Sequence, residues 1–297
     1  MAMKLGFIGL GIMGRPMALN LRRAGHALWV HGRRPVTMEV LVEAGAQACR
    51  SVADVAVNAE IIFIMVSDTP DVENIVLGET GLAHRLRPGQ VIVDMSTISP
   101  ASTRRLAQEL ETRGVEMLDA PVSGGEIGAI DAKLSIMVGG KEKTFQRVKP
   151  LFDVLGKNVV HVGDHGAGQV AKACNQIVAA LTIEAVSEAL TFARRNGVDA
   201  ARVRVALMGG FAGSKILEVH GQRMLDNDFK PGFKVKLHQK DLRIVMEDAH
   251  QLGIGLPGAA LVAQHLNALM GSGDGELDSS AIVKVIERMS GMGNRQD

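Results

Sequence analysis

The feature that most narrows what this chain can fold into is a glycine turn close to its start. Phe7-Ile8-Gly9-Leu10-Gly11-Ile12-Met13-Gly14 places a Gly-x-Gly-x-x-Gly between an apolar run, Lys4–Ile8, and an amphipathic segment, Arg15–Ala24. In that order, strand, turn and helix make the phosphate-binding corner of a βαβ unit. Gly9 permits the tight turn, Gly11 lets the backbone approach a pyrophosphate, and Gly14 lets helix and strand pack closely. The helix N-terminus then offers free N–H groups to the anion. The spacing predicts a dinucleotide seated on Gly9, Leu10, Gly11, Ile12, Met13 and Gly14.

The rest of the first half repeats the alternation. Ala27–His31, Ile61–Val66, Val91–Asp94 and Glu116–Asp119 read as further strands, followed by Leu134–Val138 and Val159–His161. Val36–Ala44 and Pro100–Thr112 read as helices among them. Strands that are apolar throughout and separated by helices predict a parallel sheet covered on both faces, the doubly wound, Rossmann-like α/β arrangement. After His161 the pattern changes. Gly163–Gly168 is a loop, and Gln169–Arg195 then runs without Gly or Pro until Asn196-Gly197 stops it. That run reads as a helix ~40 Å long. Only helical patterns follow: Ala200–Met208, Ile216–Asn227, Val235–Leu252, Gly258–Met270 and Ser279–Met289. The expected organisation is a dinucleotide-binding domain over residues 1–163 and an all-helical domain over 164–297 that opens with the long interdomain helix. The tail Gly291–Asp297 is expected to fray.

Composition then narrows the function classes. The 33 Lys+Arg against 32 Asp+Glu leave a net charge of +1, which gives no electrostatic footprint for nucleic acid or an anionic membrane. No apolar run approaches the ~18–20 residues that cross a bilayer. Met1 to Met13 resembles a signal peptide, but Gly6, Gly9, Gly11 and Gly14 interrupt it and no small-residue cleavage site precedes Arg15. Two cysteines, Cys49 and Cys174, predict a reducing compartment and a cytoplasmic protein rather than a disulfide scaffold. Tyrosine is absent, which excludes any reductase whose proton donor is a tyrosine. The histidines show no His-Glu-x-x-His or comparable spacing, so no metal is expected.

The end of the second strand distinguishes the cofactors. An NAD site places Asp or Glu there, about 20 residues past the glycines, to hold the ribose 2′-OH. Here the chain reads His31-Gly32-Arg33-Arg34. No carboxylate repels a 2′-phosphate, and Arg33 and Arg34 can pair with one. The expectation is NADP(H), with NAD(H) still possible.

Three further segments carry a resemblance: Asp119-Ala-Pro-Val-Ser123-Gly124-Gly125, Gly168-Gln-Val-Ala-Lys172-Ala-Cys-Asn175, and Lys240-Asp241-Leu242. Taken with the glycine turn, they make the chain resemble the β-hydroxyacid dehydrogenase family over essentially its whole length. The resemblance implies an active site in the cleft between a Rossmann-like domain and a helical one, and a homodimer or homotetramer formed through the helical domain. It also implies a small carboxylate substrate. Within that resemblance, Phe7–Gly14, Asp119–Glu126 and Met208–Ala212 are most similar to members that reduce tartronate semialdehyde to D-glycerate, which implies that substrate, with 3-hydroxyisobutyrate or another small β-hydroxyacid as the alternative.

The residues support the implied roles. Ser123, Gly124 and Gly125 follow a strand end, where a hydroxyl and unobstructed N–H groups can hold a carboxylate. Lys172 lies near the start of an apolar helix, with Asn175 three residues on along the same face. On the residues alone the favoured reading of such a lysine is one that snorkels to solvent. The resemblance makes it the acid/base, and partial burial would bring its pKa towards neutrality. By resemblance Asn175 orients substrate or lysine, and Lys240 closes over the nicotinamide and substrate. Ser96 and Thr97 would meet the nicotinamide ribose, and Val66 and Ser67 the adenosine side. A reading from another class, a non-catalytic dinucleotide sensor, would keep the glycine turn but have no use for Lys172.

Overall fold

A computed structural model of the chain describes residues 2–292, which divide between Lys172 and Ala173 into two compact units. Residues 293–297 of the tail expected to fray lie outside the described residues.

In the first unit strands and helices alternate. They are β1 (Lys4–Ile8), α1 (Gly14–Arg23), β2 (Ala27–His31), α2 (Val36–Glu43), β3 (Gln47–Ala48), α3 (Val52–Asn58), β4 (Ile61–Ile64) and α4 (Thr69–Leu77). There follow β5 (Val91–Asp94), α5 (Pro100–Glu111), β6 (Glu116–Asp119), β7 (Val122–Ser123), α6 (Gly125–Ile130), β8 (Leu134–Gly139), α7 (Glu142–Leu155) and β9 (Gly156–Gly163). Local chemistry starts several helices. Ser51 and Asp54 form a reciprocal capping box on α3. Asp68 caps α4, and Ser99 caps α5 with Pro100 directly after it.

The sheet runs β3-β2-β1-β4-β5-β6, all parallel. Its inner strands β1, β4, β5 and β6 are buried on both faces. Leu5, Phe7, Ile61, Phe63, Val91 and Val93 pack into one core, and Ile8, Ile62, Ile64 and Ile92 into another. This alternation of continuously apolar strands between two cores is what a doubly covered sheet requires. The chain order reverses between β1 and β4, the crevice where such sheets hold ligands.

Beyond β6 the expected parallel sheet becomes mixed. Asp119 pairs with Gly139, Val122 with Ile136 and Ser123 with Ser135, all antiparallel. The register is constant across Ala120-Pro121, so β6 and β7 are one run, interrupted by the proline, that borders β8. Only the six-residue α6 links β7 to β8, too little chain for a parallel crossover. The 14-residue α7 does carry the chain over, and β9 lies parallel to β8. Cover also ends there: Val160 and Val162 on β9 are about half exposed.

The long helix α8 (Ala167–Arg195) belongs to the first unit as far as Lys172 and to the second beyond it. Gly197, at φ +72°, ends it, with Val198 N–H bonded to Ala193 O and Gly197 N–H to Arg194 O. By length and composition α8 is long and apolar enough to cross a membrane, but half of its apolar window is buried in the protein. The second unit continues with α9 (Ala200–Met208), α10 (Lys215–Asp226), α11 (Val235–Leu252), α12 (Pro257–Gly271) and α13 (Ile282–Met289). Ala180, Ile183, Leu190, Leu242, Val262, Leu266 and Ile282 are among the side chains of its core. Asp278 ties its loops together. It accepts from the N–H groups of Gly232, Phe233 and Ser280 and from the Ser280 hydroxyl, and pairs with Arg223 at 3.2 Å.

Candidate active site

The three turn glycines do different work. Gly9 has φ +94°, and a Cβ there would stand 2.2 Å from Met65 O, so the turn lies directly against the end of β4. A Cβ on Gly14 would stand 1.9 Å from Gly9 O, so α1 and β1 meet with no room for a side chain. Gly11 is exposed, with nothing within 4 Å of its Cβ position. Leu10 turns its side chain into the core, whereas Ile12 is half exposed beside the turn. The N-terminus of α1 has no side-chain cap and no acidic residue in its first turn. An unobstructed glycine beside an uncapped helix N-terminus, at the point where the strand order reverses, fits a dinucleotide pyrophosphate.

At the end of β2 a hollow is lined by His31, Gly32, Arg33, Cys49 and Arg50, among others. Arg33 is exposed and stands 4.0 Å from Asp71, a pairing worth little in solvent. Arg34 does not line the hollow. Its carbonyl accepts from the Thr37 N–H and hydroxyl, and its side chain is exposed. Arg50, which the sequence reading did not single out, takes its place. His31 Nδ1 lies 3.1 Å from Cys49 O, tying the two walls together. Burial, with a smaller contribution from Asp54, pushes the Cys49 thiol up to about 11, so it stays protonated at neutral pH.

The strand ends at β4, β5 and β6 share a buried hydrogen-bond chain. Asp94, Ser96 and Asp119 are 0% exposed and Gln169 is 1%. The Val66 N–H donates to Ser96 Oγ at 2.9 Å, and the Ser96 N–H to Asp94 Oδ1 at 3.0 Å. Gln169 donates to Ser96 O at 2.9 Å and accepts from the Ile98 N–H at 3.1 Å. Asp119 accepts from the N–H groups of Gly166 and Gln169. Burial pushes the Asp119 carboxyl above its usual range, opposed by those N–H donors. The Ser96 hydroxyl, expected to meet a ribose, is buried and accepts from the Val66 N–H. Thr97 and Val66 are half-buried and Ser67 is exposed, so these residues carry the surface at that end.

Ser123 is half-buried at the end of β7, and Gly124 and Gly125 follow with φ of +136° and +62°, conformations that favour glycine. Both glycines are exposed, and nothing lies within 4 Å of the Cβ position of Gly125. Gln169, Lys172 and Gln176 occupy one face of α8 and are 1%, 7% and 4% exposed. The Lys172 side chain is therefore enclosed and does not run out to solvent. In the second unit Asn175 Nδ2 donates to Gln176 Oε1 at 2.8 Å, and Gln176 Nε2 to Asp241 Oδ2 at 2.7 Å. Asp241 in turn pairs with Lys240 at 2.6 Å, the two side chains being 3% and 12% exposed. Asn175 and Lys240 thus join one network through Gln176 and Asp241. Gln176 gave no signal in the sequence, because its partner lies 65 residues away. Among the described residues no group of three or more His, Cys, Asp or Glu side chains could hold a metal.

The doubly wound sheet, the glycine turn and the uncapped helix end define a dinucleotide-binding scaffold. Residues 4–163 match the family described as the NAD binding domain of 6-phosphogluconate dehydrogenase. Residues 166–286 match the one described as NAD-binding of NADP-dependent 3-hydroxyisobutyrate dehydrogenase. The chain is 54% identical to 2-hydroxy-3-oxopropionate reductase of Escherichia coli, over 97% of this chain and 98% of that one. It is 36% identical to 3-hydroxyisobutyrate dehydrogenase of Pseudomonas aeruginosa, over 95% and 97%. The solved structure of Mycobacterium tuberculosis 3-hydroxyisobutyrate dehydrogenase with L-serine superposes with a TM-score of 0.88 at 32% identity, covering 96% of this chain and 99% of that one. The chain belongs to the β-hydroxyacid dehydrogenase family and is an NAD(P)-dependent dehydrogenase.

Proposed function

We propose that the chain reduces tartronate semialdehyde (2-hydroxy-3-oxopropanoate) reversibly to D-glycerate, with NADP(H) preferred over NAD(H). The substrate reading is supported above all by the 54% identity to a 2-hydroxy-3-oxopropionate reductase across nearly the whole of both chains. When bound, the nicotinamide supplies the hydride for reduction and accepts it in the reverse direction. The chain's own residues do the rest. Ser123 and the open main chain of Gly124 and Gly125 hold the substrate carboxylate. Lys172, enclosed at 7% exposure, polarises the aldehyde oxygen and gives it a proton as the C–H bond forms. Asn175 and Lys240, held by Gln176 and Asp241, orient the substrate. A sensor that performs no reaction has no need of a buried lysine there.

The cofactor preference is supported by the guanidinium-lined hollow at the end of β2, where Arg33 and Arg50 can pair with a 2′-phosphate. Two free cysteines suit the reducing cytoplasm, and the helical unit is proposed to form the homodimer or homotetramer. Steady-state oxidation of NADPH and NADH with tartronate semialdehyde and with methylmalonate semialdehyde, the oxidised partner of 3-hydroxyisobutyrate, tests both assignments. The expected result is a higher kcat/KM with tartronate semialdehyde and with NADPH. A preference for methylmalonate semialdehyde would move the chain to the 3-hydroxyisobutyrate activity named for its 36% relative.

A further inference from the structure

A carboxylate stays in a protein core only when its oxygens are occupied. Asp119 meets that condition through main-chain groups far along the chain, with Oδ1 2.8 Å from Gly166 N and Oδ2 3.0 Å from Gln169 N. Because α8 begins at Ala167, Gly166 is the residue before the helix and Gln169 its third. A capping box satisfies these same two donors from within its own helix. Here the last residue of β6 supplies both acceptors from outside.

Two glycines make this docking close. A Cβ on Gly168 would stand 2.4 Å from Met137 O and 2.6 Å from Asp119 O. One on Gly139 would stand 2.6 Å from Asp119 Oδ1 and 2.7 Å from Gly168 N. Gln169 adds a third fixing point, since its amide bridges Ser96 O and the Ile98 N–H beyond β5. Ser96 in turn receives the Val66 N–H. Lys172 follows Gln169 by three residues, ~4.5 Å of rise on nearly the same helix face.

We propose that Asp119 and Gln169 are positioning residues: they clamp the first turn of α8 to the strand ends, so that the Lys172 amine keeps one register relative to the loops bearing Val66 and Thr97. The proposal rests on the reading of Lys172 as the proton-transferring group. At 0% and 1% exposure, with their polar atoms bonded to main-chain groups, Asp119 and Gln169 act through the helix they hold and not on substrate. Their contribution is that the lysine need not search for its position when substrate arrives, the situation in which small misplacements cost large factors in rate.

The test is a double-mutant cycle in the full-length protein. Gln169→Met keeps the length of the side chain and removes both of its bonds. Expected are a ten- to hundredfold fall in kcat, an NADPH dissociation constant within threefold of wild type by fluorescence titration, and faster hydrogen exchange across residues 166–172 in the free protein. In a Lys172→Ala background the same substitution should lower the residual turnover by less than threefold, because the amine it positions is gone. An equal loss in both backgrounds would overturn the proposal, as would unchanged kcat or a loss carried by NADPH affinity. If Gln169→Met does not fold, Asp119→Asn enters the same cycle; it keeps the shape but turns an amide N–H towards a main-chain N–H. Lys172→Ala alone keeping more than a tenth of turnover would overturn the reading of the lysine itself, so the two failures are distinguishable.

Discussion

Gly11 and Gly14 stand three residues apart in one turn, yet the structure assigns them opposite sensitivities. In Gly14→Ala the new methyl would meet Gly9 O at 1.9 Å and Phe7 Cε1 at 3.0 Å. The first obstacle is main chain, so α1 must lift from β1. Overpacking costs about 1–3 kcal/mol, and a clash with backbone belongs at the upper end. At roughly 2–4 °C per kcal/mol for a unit of this size, the unfolding midpoint should fall by ~6–12 °C. Gly11→Ala meets nothing within 4 Å, and Gly11 is not among the positive-φ glycines, so its midpoint should stay within about 2 °C. The added methyl does occupy the surface that a pyrophosphate must approach, and NADPH should bind at least about tenfold more weakly. Thermal unfolding and NADPH fluorescence titration on the two variants measure both effects. Wild-type NADPH affinity in Gly11→Ala, or a wild-type midpoint in Gly14→Ala, would refute the reasoning.

Three other substitutions probe the cofactor hollow and the loops of the helical unit. Arg50→Ala and Arg33→Ala should each weaken NADPH by about 10–100-fold, the scale of one or two charge-assisted bonds, and leave NADH within twofold because it lacks the 2′-phosphate. An unchanged ratio of NADPH to NADH efficiency would contradict this. At Asp278, burial raises the carboxyl pKa, but the Phe233 N–H, the Ser280 hydroxyl and N–H and the nearby His220 outweigh it and hold the carboxyl below its usual range. A depressed carboxylate stabilises the fold above its unfolded pKa of about 3.9 and loses that contribution as pH falls through the folded value. The gap in unfolding midpoint between wild type and Asp278→Asn should therefore be full at pH 7 and shrink below about pH 4. A gap that does not change with pH would contradict this.

The parts of the fold that declare themselves in the sequence are those with short-range causes. Continuously apolar strands and the glycine turn place β1, β2, β4, β5 and β6 within two residues of their ends, and Asn196-Gly197 stops α8 where expected. The parts that do not declare themselves depend on distant partners. Pro150 hides α7, since an interior proline costs about 3 kcal/mol in an isolated helix. The burial of Phe145, Val148, Leu151, Phe152 and Leu155 keeps that helix together nonetheless. Strand β7 has two residues and exists only because β8 returns beside it. The site divides the same way. Ser123, Lys172 and Asn175 are visible as a pattern of chemistry, whereas Gln169, Gln176 and Asp119 act through bonds spanning 47 to 73 residues. Nothing local marks an aspartate at a strand end as the cap of a helix far downstream, and the enclosure of Ser96 is likewise a tertiary fact.

Proton transfer by Lys172 is the step on which the proposed activity depends most. Single-turnover oxidation of enzyme-bound NADPH by tartronate semialdehyde, followed by absorbance in wild type and in Lys172→Ala, measures this without interference from product release. The predicted result is a rate about 10²–10⁴-fold lower in the variant, with NADPH affinity within threefold of wild type. A variant that transfers hydride at more than about a tenth of the wild-type rate would contradict the role given to the amine.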